Sequence, residues 1–140
     1  MFVDASAMVA ILLQEADGQR LAAVIDAAPA GRCITDVIAV WETAAAIYRK
    51  KNMPMDAAEA LVADFIAAAD IQVLAASPED LTLALAAFGR YGRHRYTEPA
   101  DRNKGLNLAD CFHYACAKGR RVPILTTDAG FALTDLLRAS

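Results

Sequence analysis

Four carboxylates, Asp4, Glu42, Asp110 and Asp128, are spread over almost the whole chain, and each stands where regular structure would deliver it to a shared place. Asp4 ends the apolar run Met1-Phe2-Val3, and Asp128 follows Ile124-Leu125-Thr126-Thr127. In open α/β sheets ligands bind beyond the carboxyl ends of the strands, so both aspartates point into one crevice if their strands are neighbours. Glu42 falls inside a helical pattern among Ile38, Ala39, Ala45 and Ala46, where a carboxylate either reaches the surface or is buried with a partner. Asp110 stands three residues after Asn107, a helix-start position that suits an acid. The Cys111, Phe112, Tyr114 and Ala115 that follow make its helix largely apolar.

Taken singly, each acid has an ordinary explanation in helix capping or surface charge. Taken together, carboxylates that converge raise one another's pKa unless a cation compensates. No basic residue is evident beside these four to pair with them. An all-oxygen set of this kind suits Mg²⁺ or Mn²⁺, and the matching chemistry is phosphodiester hydrolysis by water that the metal activates.

The elements that must position these acids alternate. Strands are predicted at 1–3, 33–35, 71–74 and 122–125 from short apolar runs. Helices are predicted from Ser6 as N-cap to about Gln14, from Gly18 to Ala28, from Asp36 to Lys51, from Met55 to Ala69, from Pro78 to Tyr91 behind Ser77, and from Asn107 to about Lys118. The 36–51 helix is read with an apolar stripe of Val37, Val40, Trp41, Ala44, Ala45 and Tyr48. A short helix and an edge strand are expected over 131–137. Strands alternating with helices imply an α/β fold, a short central parallel sheet surrounded by helices in three layers. One domain over 1–140 fits the length, and a 56% hydrophobic content supplies its core.

Residues 89–105 show no apolar periodicity. Arg90, Arg93, His94, Arg95, Arg102 and Lys104 cluster there with Tyr91 and Tyr96, a composition that suits phosphates and unpaired bases as well as it suits a solvated loop. Overall charge is −3, which argues against a globally basic nucleic-acid binder but not against a local patch. Cys33, Cys111 and Cys116 form no framework spacing, and with no signal peptide and no membrane-length apolar run the expected setting is the cytoplasm. There is no glycine-rich phosphate loop, no zinc spacing and no nucleophile elbow.

The segments Val3-Asp4-Ala5-Ser6-Ala7, Trp41-Glu42-Thr43, Asn107-Leu108-Ala109-Asp110-Cys111-Phe112-His113-Tyr114-Ala115 and Thr126-Thr127-Asp128-Ala129-Gly130-Phe131 resemble, in order and spacing, a PIN domain. With Phe88-Gly89-Arg90-Tyr91-Gly92 before the third of them, the chain is similar to the VapC toxins of type II toxin–antitoxin systems. The resemblance implies a PIN-like α/β/α fold and an endoribonuclease. It implies an acidic quartet of Asp4, Glu42, Asp110 and Asp128 that binds Mg²⁺ or Mn²⁺, with Asp4 and Asp110 as direct ligands and Ser6 in support. It also implies transfer or ribosomal RNA as substrate, a homodimer, and a VapB-like antitoxin. Arg90, Arg93, Arg95 and Lys104 are the candidate RNA contacts. One departure concerns the fourth acid: many relatives with the Phe-Gly-Arg-Tyr-Gly segment end in Lys-Gly-x-Asp-Phe, whereas this chain has Asp128 three residues before Phe131, with Asp135 as an alternative. Two other readings stay open, a non-catalytic binding module and a metal-dependent small-molecule phosphatase. The phosphatase would need a deep closed pocket in place of an open groove.

Overall fold

In the computed structural model, which describes residues 1–140, the alternation becomes a four-stranded, all-parallel sheet. The strands are β1 (Phe2–Val3), β2 (Cys33–Asp36), β3 (Ile71–Leu74) and β4 (Ile124–Leu125), in the order β3-β2-β1-β4. The chain builds outward from β1 to β2 and β3, then returns to add β4 on the other side of β1. That reversal creates a crevice at the carboxyl ends of β1 and β4, where an open α/β sheet binds its ligands. Phe2 pairs with Ile124 and Val3 with Leu125, so Asp4 and the segment after β4 leave the sheet side by side.

Six α-helices flank the sheet: α1 (Ala5–Leu12), α2 (Gly18–Asp26), α3 (Val37–Lys51), α4 (Met55–Ala68), α5 (Pro78–Tyr91) and α6 (Leu108–Gly119). The three-layer α/β/α expectation holds, and the helix limits fall within a few residues of those read from sequence. Phe2, Val3, Ile124 and Leu125 are fully buried, as a strand covered on both faces requires. Asn52, in the left-handed region at φ 49°, ends α3. Cys33, Cys111 and Cys116 are buried and unpaired. No helix is long and apolar enough to cross a membrane.

Three local expectations need correction. The N-cap of α1 is Asp4, not Ser6: the Asp4 carboxylate accepts from the Ser6 amide at 3.3 Å, so the helix starts as soon as the strand ends. The buried face of α3 is Ala39, Thr43, Ala44 and Ile47, whereas Val37, Trp41 and Tyr48 are exposed. Small residues at 39, 43 and 44 let α3 approach its neighbours closely around Ile47, while Val37, Trp41 and Tyr48 are turned outward. Finally, residues 89–105 are not a structureless loop. The helix α5 runs to Tyr91, and 3₁₀ turns follow at Arg93–Arg95 and Pro99–Lys104. The tail forms a 3₁₀ turn at Ala129–Leu133, then a single parallel bridge from Arg138 to Ile124.

The ends of the 92–106 segment are tied together. The Leu106 amide donates to the Tyr91 carbonyl at 2.8 Å, and the Arg93 amide to the Leu106 carbonyl at 3.2 Å. This closure brings the chain back at Asn107 to start α6 and so fixes Asp110. Gly105 sits in the closure, where a Cβ would meet Arg93 Cα at 2.5 Å and Arg93 N at 2.7 Å. Both obstacles are backbone and cannot swing aside. Gly105→Ala is therefore expected to lower unfolding free energy by about 1–3 kcal/mol, measured by urea denaturation; an unchanged midpoint would show that the closure is loose.

Candidate active site

The acid on β1 is held by the segment that follows β4. Asp4 is only 4% exposed. Its Oδ2 accepts from Ser6 Oγ at 2.5 Å and from Thr126 Oγ1 at 2.8 Å. Each hydroxyl has a single hydrogen, and both are spent on Asp4. The hydroxyl oxygens then accept in turn, Ser6 Oγ from the Thr127 amide and Thr126 Oγ1 from the Asp128 amide, each at 3.0 Å. One carboxylate thus closes a network that joins the ends of β1 and β4 and sets the backbone of Asp128.

The other acids are fixed by capping. Asp110 is at N3 of α6, and its Oδ2 accepts from the Asn107 amide at 2.8 Å while Asn107 Oδ1 accepts from the Asp110 amide at 2.9 Å. Asp128 caps the Ala129–Leu133 turn through Oδ1 and the Gly130 amide, 2.7 Å apart. In both residues one carboxylate oxygen serves the backbone, and the other has no protein hydrogen bond. Glu42 projects from α3 and is half-buried.

Asp4, Ser6, Glu42, Asp110 and Asp128 all line one cleft, together with Asn107, Thr127 and two residues of opposite charge, Glu15 and Lys50. Its rim is open, with Thr127, Glu15 and Lys50 exposed. Asp135 lies elsewhere. It accepts from Tyr114 Oη at 2.7 Å and pairs with Lys118 at 2.8 Å, so it is no substitute for Asp128, while its neighbour Thr134 bonds the local backbone through Oγ1, donating to the Phe131 carbonyl and accepting from the Leu136 amide. Arg90, Arg93, Arg95 and Lys104 do not line the cleft either. Arg90 is 4.0 Å from Asp135, Arg93 and Arg95 bond to the Gly105 and Gly89 carbonyls, and Lys104 pairs with Asp101 at 2.7 Å.

Three residues that matter to this site escaped the sequence reading. His113 corrects the inference that no basic residue stands beside the acids. It is fully buried, with Nδ1 3.2 Å from Asp4 Oδ1 and Nε2 3.4 Å from Asp36 Oδ1 and 3.6 Å from Glu42 Oε2. The contacts lie off the line of the ring N–H bonds, so they are ion-pair contacts and not aligned hydrogen bonds. Asp36, a further buried carboxylate, caps α3 through the Ala39 amide at 2.7 Å. Lys50 is the cation that lines the cleft. All three had a signal: His113 is three residues after Asp110 on one helix, Asp36 repeats the strand–Asp–helix pattern of Asp4, and Glu42, Ala46 and Lys50 follow helical spacing.

The electrostatics separate the acids. Burial works against the charge on Asp4, but the His113 imidazole, then the Ser6 and Thr126 hydroxyls, outweigh it and hold this carboxyl below its ordinary value. Glu42 is pushed up to about 7, first by burial and then by the charges of Asp4, Asp110 and Asp36 against the opposing His113. Asp110 is pushed up to about 6, mainly by burial, with Asp4 and Asp128 adding to it against its bond from Asn107. Burial opposes protonation of His113, yet Asp36 and Asp4 raise it to about 10.

Such a site has carboxylate oxygens to spare and an unmet need for positive charge. It fits a hard divalent cation. The fit calls for movement, because no three of these side chains are already drawn together tightly enough to enclose an ion.

Known proteins resemble this chain along nearly its whole length. The PIN domain profile matches residues 1–137. A protein named Ribonuclease VapC from Mycolicibacterium smegmatis is 32% identical, covering 97% of each chain. A VapC ribonuclease of Rhizobium meliloti is 30% identical over 96% of this chain and 98% of its own. The crystal structure of Mycobacterium tuberculosis VapC20, described as a sarcin-ricin loop cleaving toxin, superposes with a TM-score of 0.71. It covers 97% of this chain and 95% of its own, and at 16% identity it speaks to the fold alone.

The raised acids give a signed pH dependence. Folding favours the neutral forms of Glu42 and Asp110, so these two acids contribute stability that is full below their ordinary values of 4.5 and 3.8 and is lost as pH rises through about 7 for Glu42 and about 6 for Asp110. His113 acts at a different pH, contributing stability that is full below 6.5 and lost as pH passes about 10. A divalent cation held by these acids would have to displace their protons, with Mn²⁺ as the probe. Calorimetric titration in buffers of different ionisation heat is expected to show proton release near pH ~6 and almost none near pH ~8. Heats independent of buffer at the lower pH would contradict the raised values.

Proposed function

The chain belongs to the PIN-domain family and is a ribonuclease of the VapC group, and from that premise we propose that the Asp4–Glu42–Asp110–Asp128 cleft is where it hydrolyses RNA with Mg²⁺ or Mn²⁺. The observation that carries this reading is the convergence of four carboxylates from distant parts of the chain on one open cleft with a lysine at its edge. Asp4 and Asp110 are the proposed direct ligands, with Glu42 and Asp128 completing the acidic wall. A bound divalent ion supplies Lewis acidity, neutralising the acids and the phosphate and lowering the pKa of water.

The chain's own groups do the rest. Ser6 and Thr126 fix Asp4 through Oδ2. Glu42, on the cleft wall with no backbone bond to hold it, is placed to help hold the ion or to accept a proton from the attacking water. Lys50 is suited to hold a phosphate. Its present partner is Glu15, 3.1 Å away with both side chains about half exposed, and such surface pairs are worth only ~0–1 kcal/mol, so an RNA phosphate displaces it readily. Arg90, Arg93, Arg95 and Lys104 are proposed to contact RNA beyond the cleft, in keeping with their exposure on the 90–104 segment.

The substrate is proposed to be a structured transfer or ribosomal RNA. A homodimer and a VapB-like antitoxin are the proposed partners, supported by two exposed apolar faces: Leu85, Phe88 and Leu108 on α5 and α6, and Trp41 with Tyr48 beside Glu42 on α3. The open, polar rim favours a polymer over the small phosphomonoester of the phosphatase reading.

The test is cleavage of transfer and ribosomal RNA by the purified chain in Mn²⁺. Asp4→Asn and Asp110→Asn are expected to lose more than the roughly 10–100-fold that removal of an outer-sphere partner costs, with circular dichroism unchanged. Undiminished cleavage in both would sink the assignment. Lys50→Ala is expected to weaken RNA binding uniformly across sequences and to reduce the slope of log K against log salt by about 1. An unchanged slope would place Lys50 outside the RNA contact.

A further inference from the structure

His113 is an unusual residue to find behind an acidic cleft. Its ring is sealed from solvent and packed against Phe2, with centroids 5.5 Å apart. Nδ1 faces Asp4 Oδ1 at 3.2 Å, and Nε2 faces both Asp36 Oδ1 at 3.4 Å and Glu42 Oε2 at 3.6 Å. Three carboxylates crowd the two edges of this buried ring, and their combined charge favours the imidazolium over the neutral imidazole although neither N–H points straight at an oxygen. Neither nitrogen has any other partner. Asp36 cannot turn away, since its Oδ1 also caps α3. Asp4 is equally fixed by Ser6 and Thr126. The ring is therefore a wedge of positive charge between two immobile carboxylates, and it touches a third, Glu42, that lines the cleft.

We propose that His113 is an internal counter-cation that holds Asp4 and Glu42 together with Asp36 before a divalent ion enters, so that the site folds without metal. The inference rests on the metal-binding reading of the cleft and adds a role for a residue outside it. Buried carboxylates without a partner are costly, and breaking such a pairing destabilises a fold strongly. An ion in the cleft would supply positive charge to Asp4 and Glu42 as well. The need for His113 is then greatest when metal is absent, which sets it apart from a residue that merely fills space.

The experiment compares melting temperatures of wild type and His113→Gln in EDTA and in saturating Mn²⁺, with Mn²⁺ affinity measured by calorimetry. Gln keeps an amide donor and drops the charge. In EDTA the variant is expected to melt roughly 10 °C lower, and Mn²⁺ is expected to recover much of that loss, giving a larger metal-induced rise than in wild type. If the variant does not fold in EDTA, recovery of the folded circular dichroism spectrum on adding Mn²⁺ supports the same conclusion, and failure to recover overturns it. An equal loss with and without Mn²⁺, or a smaller metal-induced rise than in wild type, overturns the proposal and leaves His113 a packing residue. Absence of Mn²⁺ binding by the wild-type chain would instead overturn the metal reading beneath it.

Discussion

A carboxylate buried at the end of a strand must be compensated, and Asp4 is the point from which the architecture of this site follows. Its two oxygens divide the task. Oδ2 gathers the Ser6 and Thr126 hydroxyls and thereby locks the end of β4 to the end of β1. Oδ1 faces His113, which reaches back to Asp36 at the end of β2. Three adjacent parallel strands therefore end in one charge network. Low polarity around that network strengthens each contact and makes any missing partner expensive.

The same side chains serve structure and chemistry at once. Asp4, Asp36 and Asp128 each cap the helical segment that follows, and Asp110 completes the capping box of α6. A cap fixes a carboxylate's position through one backbone N–H. In Asp110 and Asp128 it uses one oxygen and leaves the other free of protein bonds. The ordinary explanation for an acid at a helix start is thus how the acid is held in place for a ligand. Glu42 alone has no backbone role, and burial pushes its carboxyl up to about 7.

Much of this was legible. The strand–Asp–helix pattern at Asp4 and Asp128, Asn107 three residues before Asp110, and the α/β alternation are local signals, set by propensity and capping chemistry that act over a few residues. The errors were also local in origin. Of the stripe expected on α3 only Ala44 is fully inside; helix packing selected Ala39, Thr43 and Ile47 to join it and left Val37, Trp41 and Tyr48 outside. The 3₁₀ turns at Arg93–Arg95 and Pro99–Lys104 have no apolar period to reveal them; they exist because the segment is closed by Tyr91, Arg93 and Leu106.

The sequence by itself determined which elements form, that the sheet is parallel, and which four acids stand at element ends or on an inward helix. It could not say which strands are neighbours, because register and strand order come from burial on both faces and from hydrogen bonds between residues more than a hundred positions apart. That order, β3-β2-β1-β4, is what brings Asp128 beside Asp4. It also decided the identity of the charge partner. His113 is one of many helical residues in the linear chain, and only the packing of α6 against β1 and β2 places its ring between Asp4 and Asp36. Tertiary structure likewise took the basic 90–104 segment off the cleft wall and put Lys50 there instead. Charge acts through distance in space, and a sequence records distance only along the chain.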